Sequence, residues 1–393
     1  MNLLPKPKKI TEKGGQLLLC HSMYIVISKE ISDNGIYAAK RLQEAIRQET
    51  GLLLRLSVGE TRDGDLSLGI TETLSGQAYE ITINENGVQI LGGDGAGVLY
   101  GVETFCQILQ QYGGALPCMQ IMDAPDMPNR GYYFDQTRGR ILKLEELKKI
   151  ADRMSLYKLN QLQLYVEHTY LFRDFSEMWR DQTPITAEEI RELDSYCRER
   201  HIELVPSLAS FGHLCTLLST KTYGDLCEME DSWKEPFSFW NRMRYHTINV
   251  SDGRSLPLIK KMIAEYMQLF SSDKFNICAD ETFCLGKYKS KELAKECGIH
   301  RLYIDYVKEL AQFLVENGKI PMFWGDIIWN SPELMKELPE TMVCLNWGYA
   351  PEQREDETRA IAQTGAMQYL CPGVCGWNQW ANLIENSYKN ITR

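Results

Sequence analysis

The chain has 393 residues, of which 44% are hydrophobic and 24% charged, and its formal net charge is −10. This length favours two domains, and the composition is that of a soluble globular protein without the roughly 18 consecutive apolar residues of a membrane helix. Acidic charge with no basic block excludes nucleic acid and anionic membranes as expected partners, so we expect a neutral substrate.

The N-terminus and the cysteines together predict a reducing, cytoplasmic location. Residues 1–15 carry prolines and lysines where a secretory signal would need an apolar core, so we expect a cytoplasmic protein. The twelve cysteines form no CxxC pair, and Cys106, Cys278 and Cys344 lie in apolar runs that indicate buried thiols in a reducing environment. We therefore expect no disulfides, and the motifs indicate neither a metal nor a cofactor.

The elements predicted for residues 16–112 run strand, helix, strands, hairpin and helix. LLLCHSMYIVI and LLLRLSV have strand character, and NGIYAAKRLQEAIRQE between them has helical spacing. YEITINENGVQILGG predicts a hairpin that turns at Asn-Gly, and GVLYGVETFCQILQQY predicts an amphipathic helix. These elements predict a small α+β domain, residues 1–124, which ends near the turn-rich stretch 123–131.

From residue 125 onward the sequence alternates regularly between strand and helix patterns. The predicted strands are GYYFDQT, QLQLYVEHT, IELVPSLASF, KFNICADET, IPMFWGDII, TMVCLNWGYA and MQYLCPGVCGW. Such repeats predict a (β/α)₈ barrel of the TIM type over residues 125–393, although only seven strands are found. A missed strand, a fragment or an unusual closure would each explain this. An open barrel exposes two strand edges, which would favour a homo-oligomer.

The residues at the ends of the seven strands are polar and aromatic. In barrels of this kind the active site lies at the carboxyl ends of the strands. Sugar rings stack their C–H faces on aromatic rings and need paired donors and acceptors for their hydroxyls, so this set favours a carbohydrate site. The residues are Asp135, Arg138, Glu167, His168, His213, Asp280, Glu281, Trp324, Asp326, Trp347, Tyr349, Trp377 and Trp380.

Each of these residues also has a purely structural interpretation. A single tryptophan near a strand end is more often a core residue than a ligand contact, although four at the ends of three consecutive strands favour a site. The other structural alternatives are an Arg138–Asp135 ion pair, a turn role for His213, a Glu167–His168 hydrogen bond, and capping of the next helix by Asp280 and Glu281.

Five motifs in order carry a resemblance to a known family. NRGYYFDQTR, KLNQLQLYVEHT, PSLASFGH, FNICADET and MFWGD resemble the catalytic barrel of glycoside hydrolase family 20, the β-N-acetylhexosaminidases. The nearest type is the compact bacterial exo-β-N-acetylglucosaminidases. The resemblance covers about residues 125–380, and the preceding α+β unit is similar to the small non-catalytic domain usual in that family. Its most specific elements are the Asp-Glu pair after a strand and Arg138 in a D-x-x-R motif.

The resemblance implies exo-acting, retaining hydrolysis of terminal non-reducing β-linked N-acetylglucosamine or N-acetylgalactosamine by a substrate-assisted, oxazolinium-forming mechanism. Glu281 would be the general acid and later activate water, and Asp280 would hold the N–H of the substrate's acetamide group. The implied substrate contacts are Arg138 at the outer hydroxyls, Trp324, Trp347 and Trp377 at the walls, His213, Glu167 and His168 at the rim, Tyr349 at the acetamide oxygen, and Asp326 at the sugar or as an orienter of Trp324.

The adjacency of Asp280 and Glu281 has a simple expected basis in the strand that precedes them. Successive strand residues point to opposite faces, so the two carboxylates would reach different parts of the sugar. The resemblance also implies an eighth strand whose end adds a further Trp-bearing loop, and we find no such strand after Trp380, so a catalytically impaired sugar-binding barrel is the alternative. A metal-dependent hydrolase would use Glu167, His168, His213 and His246, which lack HxH or HExxH spacing.

Overall fold

The computed structural model describes residues 1–31, 34–236, 238–351, 355–374 and 384–392. The chain separates into two compact units. The first comprises Met1–Tyr132, Lys143–Leu162 and Glu192–Leu204, and the second comprises Tyr133–Leu142, Gln163–Arg191 and Val205–Arg393. The described part of the chain contains no helix with the length and apolar character needed to cross a membrane. The predicted domain bounds, 1–124 and 125–393, stay a prediction.

The first sheet has seven strands with two helices in the connections. Its elements are β1 (Lys9–Leu18), β2 (Tyr24–Ile27), α1 (Asn34–Thr50), β3 (Arg55–Val58), β4 (Leu66–Ile70), β5 (Tyr79–Asn84), β6 (Gly87–Gly92), α2 (Gly95–Tyr112) and β7 (Ala115–Asp123). The strand order is β1-β7-β5-β6-β4-β2-β3. β2 runs parallel to β3 and β4, and β4 parallel to β6, whereas β1, β7, β5 and β6 pair antiparallel.

The alternating pattern of β5 explains why this sheet forms. Tyr79, Ile81 and Ile83 are buried while the residues between them are partly exposed, as expected for a strand with one covered face. Their apolar side chains join the hydrophobic core to which α1 and α2 contribute. Asp94 begins α2 by accepting the Gly97 N–H at 2.8 Å, a conventional N-cap.

The hairpin between β5 and β6 differs by one residue from the predicted turn. Asn84 pairs with Gly87, so Glu85 and Asn86 form the two-residue loop and Gly87 already begins β6. Asn84 Oδ1 accepts the Asn86 N–H at 2.8 Å. Gly87 has φ +133°, and a Cβ there would lie 2.4 Å from the Asp65 carbonyl oxygen, so both conformation and space favour glycine.

Three strands of this sheet are not located by the sequence pattern. Most of β1 lies outside the predicted strand, and neither β4 nor β7 falls in a segment predicted as a strand. β1 is an edge strand whose residues are mostly exposed, and its pairing with β7 is interrupted between Glu12 and Gln16. An exposed, irregular edge strand carries no alternation of apolar and polar residues, which is why periodicity did not reveal it.

The second sheet follows the strand and helix alternation that the sequence predicts. Its strands are β8 (Gly131–Asp135), β9 (Gln161–Val166), β10 (Glu203–Leu208), β11 (Lys274–Asn276), β12 (Ile320–Trp324), β13 (Val343–Gly348) and β14 (Met367–Pro372). The helices are α3 (Leu144–Leu156), α4 (Ser176–Trp179), α5 (Ala187–Glu199), α6 (Cys215–Leu218), α7 (Phe239–Arg244), α8 (Ser255–Met267), α9 (Lys291–Cys297), α10 (Ile299–Glu316), α11 (Glu355–Gln363) and α12 (Ile384–Ile391). Short 3₁₀ turns cover Gly224–Leu226, Ser232–Lys234, Ile328–Asn330 and Pro332–Glu337.

These seven strands form a parallel, curled sheet in chain order from β8 to β14, a half-barrel with helical crossovers. Phe275 pairs with Pro321, and Phe323 with Cys344. Every residue of β9 is buried, as expected for a parallel strand covered on both faces. The predicted fold class is therefore confirmed, and among the described residues the sheet has seven strands with β8 and β14 at its edges. The predicted homo-oligomer stays a prediction.

Candidate active site

The two adjacent carboxylates lie in a turn beyond the end of β11. This strand ends at Asn276, and Asp280 and Glu281 follow in a segment with left-handed backbone. Cys278 has φ 58°, Ala279 φ 60° and Glu281 φ 48°. The expectation that strand alternation separates the two carboxylates is wrong, because neither residue belongs to the strand. We call residues 278–281 the acid turn.

The acid turn and the residue before it are held by hydrogen bonds from three sides. Non-glycine residues rarely adopt positive φ unless the surroundings fix them. Three carbonyls accept: that of Ile277 from the Ser210 hydroxyl (2.6 Å), that of Cys278 from the Trp324 N–H (2.9 Å), and that of Ala279 from the Tyr303 hydroxyl (3.0 Å). The Glu281 N–H donates to Asp326 Oδ2 at 3.0 Å.

His213 brings the two carboxylates together. Its Nε2 lies 3.3 Å from Asp280 Oδ2 and 3.2 Å from Glu281 Oε2, so both acids face the same imidazole. The His213 side chain is only 1% exposed, against 18% for Asp280 and 24% for Glu281. Burial alone would lower the pKa of His213, but the two carboxylates and Glu167 raise it to about 10. The imidazole is therefore protonated at neutral pH, and it lies behind the acids rather than on an exposed rim.

Gly212 allows this approach. A Cβ at Gly212 would lie 2.5 Å from the Asp280 carbonyl oxygen and 3.2 Å from that of Glu281. Carbon atoms do not approach backbone oxygens this closely, so any side chain at this position would displace the acid turn. The glycine before His213 is thus required by space.

Arg138 is held rigidly beside the end of β8. Its Nε donates to Asp135 Oδ2 at 2.6 Å, and its Nη1 contacts the Met243 thioether sulfur at 3.3 Å. The guanidinium carbon lies 4.8 Å from the centre of the Tyr165 ring. Burial opposes the positive charge, but Tyr165, Asp135 and Glu167 raise the pKa of Arg138 above its ordinary value. The Arg138–Asp135 ion pair exists, and it orients the guanidinium within the site.

Glu167 is a buried and fully ionised carboxylate. It accepts the Tyr165 hydroxyl at 2.9 Å and Arg242 Nη2 at 3.1 Å, and His168 Nδ1 lies 3.8 Å away. Burial would raise the pKa of Glu167, but His168, Arg242 and Arg138 lower it to about 2. With one oxygen committed to Tyr165 and the other to Arg242, its observed role is to fix its neighbours.

Aromatic side chains line the strand ends next to the acids. Trp324 is buried and meets Tyr133 edge to face, with 4.9 Å between ring centres. Trp347 is half-buried between Trp329 at 6.2 Å and Tyr349 at 5.3 Å. Such rings offer faces on which sugar C–H groups stack. Trp377, also predicted to belong to the site, lies outside the described residues, as does Trp380.

The Tyr349 phenol lies close enough to Asp280, Glu281 and Arg138 for their charges to act on it. The side chain is 47% exposed, yet the protein around its oxygen raises the pKa of Tyr349 to about 12. Asp280 and Glu281 add to this rise, and Arg138 opposes it. The phenol is therefore a neutral hydrogen-bond donor within electrostatic range of both acids and the guanidinium.

Asp326 contacts the acid turn. Its Oδ2 accepts the Glu281 N–H at 3.0 Å, whereas its enclosed Oδ1 has no hydrogen-bond partner among the residues that the structure describes. Burial, and then the charge of Asp280, raise the pKa of Asp326 to about 8. The contact observed for Asp326 is thus the backbone of Glu281, and the predicted sugar contact stays a prediction.

Several residues of the site were not predicted from the sequence. Tyr133 and Tyr165 lie inside strands, where an aromatic residue has no distinguishing pattern. Arg242 and Met243 come from α7, a short helix in the long connection between β10 and β11 for which periodicity gave no element. Trp329 donates its indole N–H to Asn346 Oδ1 at 2.8 Å, and only its position shortly after a strand end hinted at a role.

One cluster in the described part of the chain has ligand atoms close enough to share a cation. The atoms of His213, Asp280 and Glu281 all lie within 4.8 Å of one another. We describe this cluster by its observed ion pairs, since one His213 nitrogen lies 3.3 Å from Asp280 and 3.2 Å from Glu281. The alternative ligand set, Glu167, His168, His213 and His246, does not form such a cluster within the described ranges.

Comparison with known proteins identifies the family. The sequence profile described as "Glycosyl hydrolase family 20, catalytic domain" matches residues 128–375, and "Glycosyl hydrolase family 20, domain 2" matches residues 1–124. The chain therefore belongs to glycosyl hydrolase family 20, and an N-terminal domain precedes its catalytic domain. This confirms the resemblance carried by the five motifs.

Individual relatives agree with this assignment. The chain is 23% identical over 365 residues to a "Beta-hexosaminidase" of Porphyromonas gingivalis, which covers 84% of this chain and 46% of that protein. It is 30% identical over 189 residues to a "Beta-hexosaminidase" of Akkermansia muciniphila, which covers 43% of this chain and 36% of that protein. The chain thus spans less than half the length of these two curated relatives.

Solved structures share the fold. The β-N-acetylhexosaminidase of Bacteroides fragilis superposes with a TM-score of 0.77 at 18% identity, over 96% of this chain and 78% of that one. The chitobiase of Flavobacterium johnsoniae gives 0.81 at 20% identity, over 95% of this chain and 59% of that one. At these identities the likeness concerns the fold alone.

Proposed function

We propose that this chain catalyses exo-acting hydrolysis of terminal, non-reducing, β-linked N-acetylglucosamine or N-acetylgalactosamine with retention of configuration. The observation that carries the proposal is the convergence of Asp280 and Glu281 on His213, at 3.3 and 3.2 Å, in a turn that Trp324, Tyr303 and Asp326 hold by hydrogen bonds. Two carboxylates this close to each other repel and resist desolvation, so folding alone does not favour the arrangement. Such a pair beside a buried imidazole suits acid-base chemistry. Membership of glycosyl hydrolase family 20 supports the same substrate class.

In the first step the substrate supplies its own nucleophile. The carbonyl oxygen of the 2-acetamido group attacks the anomeric carbon as the glycosidic bond breaks, and Glu281 gives its proton to the departing oxygen. Asp280 accepts the acetamide N–H, which orients the carbonyl and stabilises the positive oxazolinium that forms. In the second step Glu281 takes a proton from water, which opens the oxazolinium at the anomeric carbon and restores the acetamide.

His213 places a positive charge beside the acid. Its Nε2 lies 3.2 Å from Glu281 Oε2 and 3.3 Å from Asp280 Oδ2. An opposite charge this close stabilises the carboxylate that Glu281 becomes when it protonates the leaving group. Glu281 then accepts its proton from water in the second step.

The remaining side chains suit recognition of the sugar. Arg138 has a fixed orientation and offers its rigid fork of donors to hydroxyl groups. Trp324 and Trp347 offer apolar surface to the methyl group and ring face, and the Tyr349 phenol is a donor for the acetamide oxygen. These assignments define where the terminal sugar would lie, with its leaving group directed toward Glu281.

A pair of substrates tests the proposal. We expect purified protein to hydrolyse an aryl β-N-acetylglucosaminide and to be at least roughly 10³-fold slower on the matching aryl β-glucoside, because only the first has an internal nucleophile. Comparable turnover of both would reject substrate assistance. Binding of N-acetylglucosamine without turnover of any N-acetylhexosaminide would instead favour the impaired, sugar-binding alternative, which the retained acids of the described site do not favour.

A further inference from the structure

Asp326 follows the last residue of β12 by two positions, and its two carboxyl oxygens have different surroundings. Oδ2 accepts the N–H of Glu281 at 3.0 Å, so it holds the backbone of the proposed general acid. Oδ1 is enclosed and has no hydrogen-bond partner among the described residues. In an ionised carboxylate both oxygens share the negative charge, and each needs hydrogen-bond donors. A buried oxygen without a donor therefore disfavours the ionised form.

The backbone near Asp326 is anchored on both sides. Trp324 donates its N–H to the Cys278 carbonyl at 2.9 Å, which ties the end of β12 to the acid turn. Gly325 donates its N–H to the Leu345 carbonyl of β13, also at 2.9 Å. The backbone that carries the Asp326 side chain is therefore held in place. Its carboxyl group adds a second hydrogen bond between this segment and the acid turn.

Most of the titratable groups near Asp326 are acids. Asp280 and Glu281 lie in the acid turn, Tyr303 approaches from α10, and Cys344 approaches from β13. The positive group of this cluster, His213, pairs with Asp280 and Glu281. An anion at Asp326 would add negative charge beside the acid turn, and repulsion would act directly on that turn. A neutral carboxylic acid avoids this repulsion and still offers Oδ2 as an acceptor.

We propose that Asp326 is a positioning residue that works as a neutral carboxylic acid, holding the Glu281 N–H with Oδ2 and carrying its proton on the enclosed Oδ1. The inference rests on the proposed function, because it concerns how the general acid is placed. Glu281 has φ 48°, a conformation that a residue with a side chain leaves readily when its backbone bonds are lost. The N–H bond by itself favours the anion, but burial and the neighbouring carboxylates outweigh it, so the neutral form holds Glu281 without repelling the acid turn.

Two variants of Asp326 separate the neutral acid from an anion. D326N has nearly the shape of the protonated form, with one acceptor oxygen and an NH₂ group in place of the O–H, whereas D326A removes the bond to Glu281. D305N is the matched control, since Asp305 lies on α10 with its side chain 58% exposed and pairs only with surface Arg301 in the described structure. We expect D326N to keep kcat within about threefold of wild type near pH 6, and D326A to lose about 10- to 100-fold in kcat with little change in KM.

Thermal unfolding gives a second measurement that needs no activity. The raised pKa of Asp326 means that its folded-state proton stabilises the protein fully below the unfolded value of about 3.9, and that this stability is lost as pH rises toward about 8. We therefore expect the melting temperature of D326N relative to wild type to increase between about pH 4 and pH 8. For D305N we expect no such increase.

Each result has a definite meaning. If D326N is as impaired as D326A near pH 6, or if its melting temperature relative to wild type does not change with pH, then Asp326 acts as an anion and the inference is overturned. If wild-type protein hydrolyses no N-acetylhexosaminide, the proposed function fails, but the pH dependence of unfolding still decides the state of Asp326. Retained kcat in D326N together with the rising difference in melting temperature supports the inference.

Discussion

Two tight turns in this molecule both require positive φ, and they use different residues for it. The hairpin between β5 and β6 needs positive φ at the start of β6 and uses glycine there, Gly87 at φ +133°. The acid turn needs positive φ at three positions and uses Cys278, Ala279 and Glu281. The hairpin loop is exposed at Glu85, whereas His213 lies buried behind the acid turn.

The difference shows where the molecule tolerates the strain of positive φ in a residue with a side chain. A residue with a side chain in the left-handed region costs about 1–2 kcal/mol, so glycine is the favoured choice wherever the turn serves only the fold. At Glu281 glycine would remove the carboxylate. The acid turn therefore keeps the Glu281 side chain, and neighbouring elements offset the strain: Tyr303 donates a hydrogen bond to the turn, and Asp326 accepts one from it. Strain is retained where chemistry needs a side chain in that conformation.

Removal of the acid should have the largest effect. We expect E281Q to lower kcat by roughly 10²–10⁴-fold on substrates with poor leaving groups, and by less on activated aryl glycosides that need little protonation. E85Q in the hairpin loop, an exposed glutamate, is the matched control and should leave kcat unchanged. Equal small losses on both kinds of substrate would contradict the acid role of Glu281.

The neighbouring carboxylate should come next. We expect D280N to lower kcat by roughly 10²–10³-fold, because an amide cannot stabilise the positive oxazolinium as a carboxylate does. Circular dichroism should show an intact fold. Turnover close to that of the wild type would reject the proposed interaction with the acetamide N–H.

A rise in pH should loosen the acid turn and leave the hairpin turn unaffected. The pKa of His213 is raised to about 10, so its ion pairs contribute fully below the unfolded value of about 6.5 and are lost as pH rises through about 10. Between about pH 7 and pH 10 the wild type should therefore lose more thermal stability than H213N. A parallel decline in both proteins would mean that His213 is not the group that titrates.

A side chain at Gly87 should weaken the fold without changing the chemistry. We expect G87A to lower the free energy of unfolding by about 1–3 kcal/mol, because the methyl group meets the Asp65 carbonyl and φ +133° is unfavourable for alanine. Denaturant unfolding measures this change, and kcat of the folded protein should stay at the wild-type value. A fall in kcat equal to that of D280N would show that the two turns are coupled.

Loss of one support of the acid turn should have the smallest effect. Y303F removes the hydrogen bond to the Ala279 carbonyl and keeps the ring, so we expect about 1 kcal/mol less stability. A few-fold fall in kcat should accompany it, because the turn is less firmly held. An unchanged kcat with the full loss of stability would mean that the remaining bonds alone define the turn.

The sequence predicted those parts of the fold that have a local pattern. All seven strands of the half-barrel and the helices α1 and α2 follow from periodicity, and the hairpin follows from alternation around Asn86-Gly87. The exposed edge strand β1 has no such pattern. The short helix α7 is also without one, since six residues hold too few turns for a periodic signal.

For the site, the sequence predicted residue types and not their contacts. Arg138, Asp280 and Glu281 were recognisable because they follow strands in a fixed order of motifs. The convergence of both acids on His213 was not, because it depends on positive φ at Glu281 and on a contact between residues far apart in the chain. The same holds for Met243, which contacts Arg138 from a distance of 105 residues in sequence.

The tight packing of Gly212 against the backbone of Asp280 has a practical consequence for protein engineering. The two segments lie far apart in the sequence, yet a Cβ in the first would come within 2.5 Å of a carbonyl in the second. Chimeras that exchange residues 278–281 with another barrel must therefore exchange residues 210–213 in the same step. A library that randomises position 212 alone should yield inactive clones except where glycine is restored.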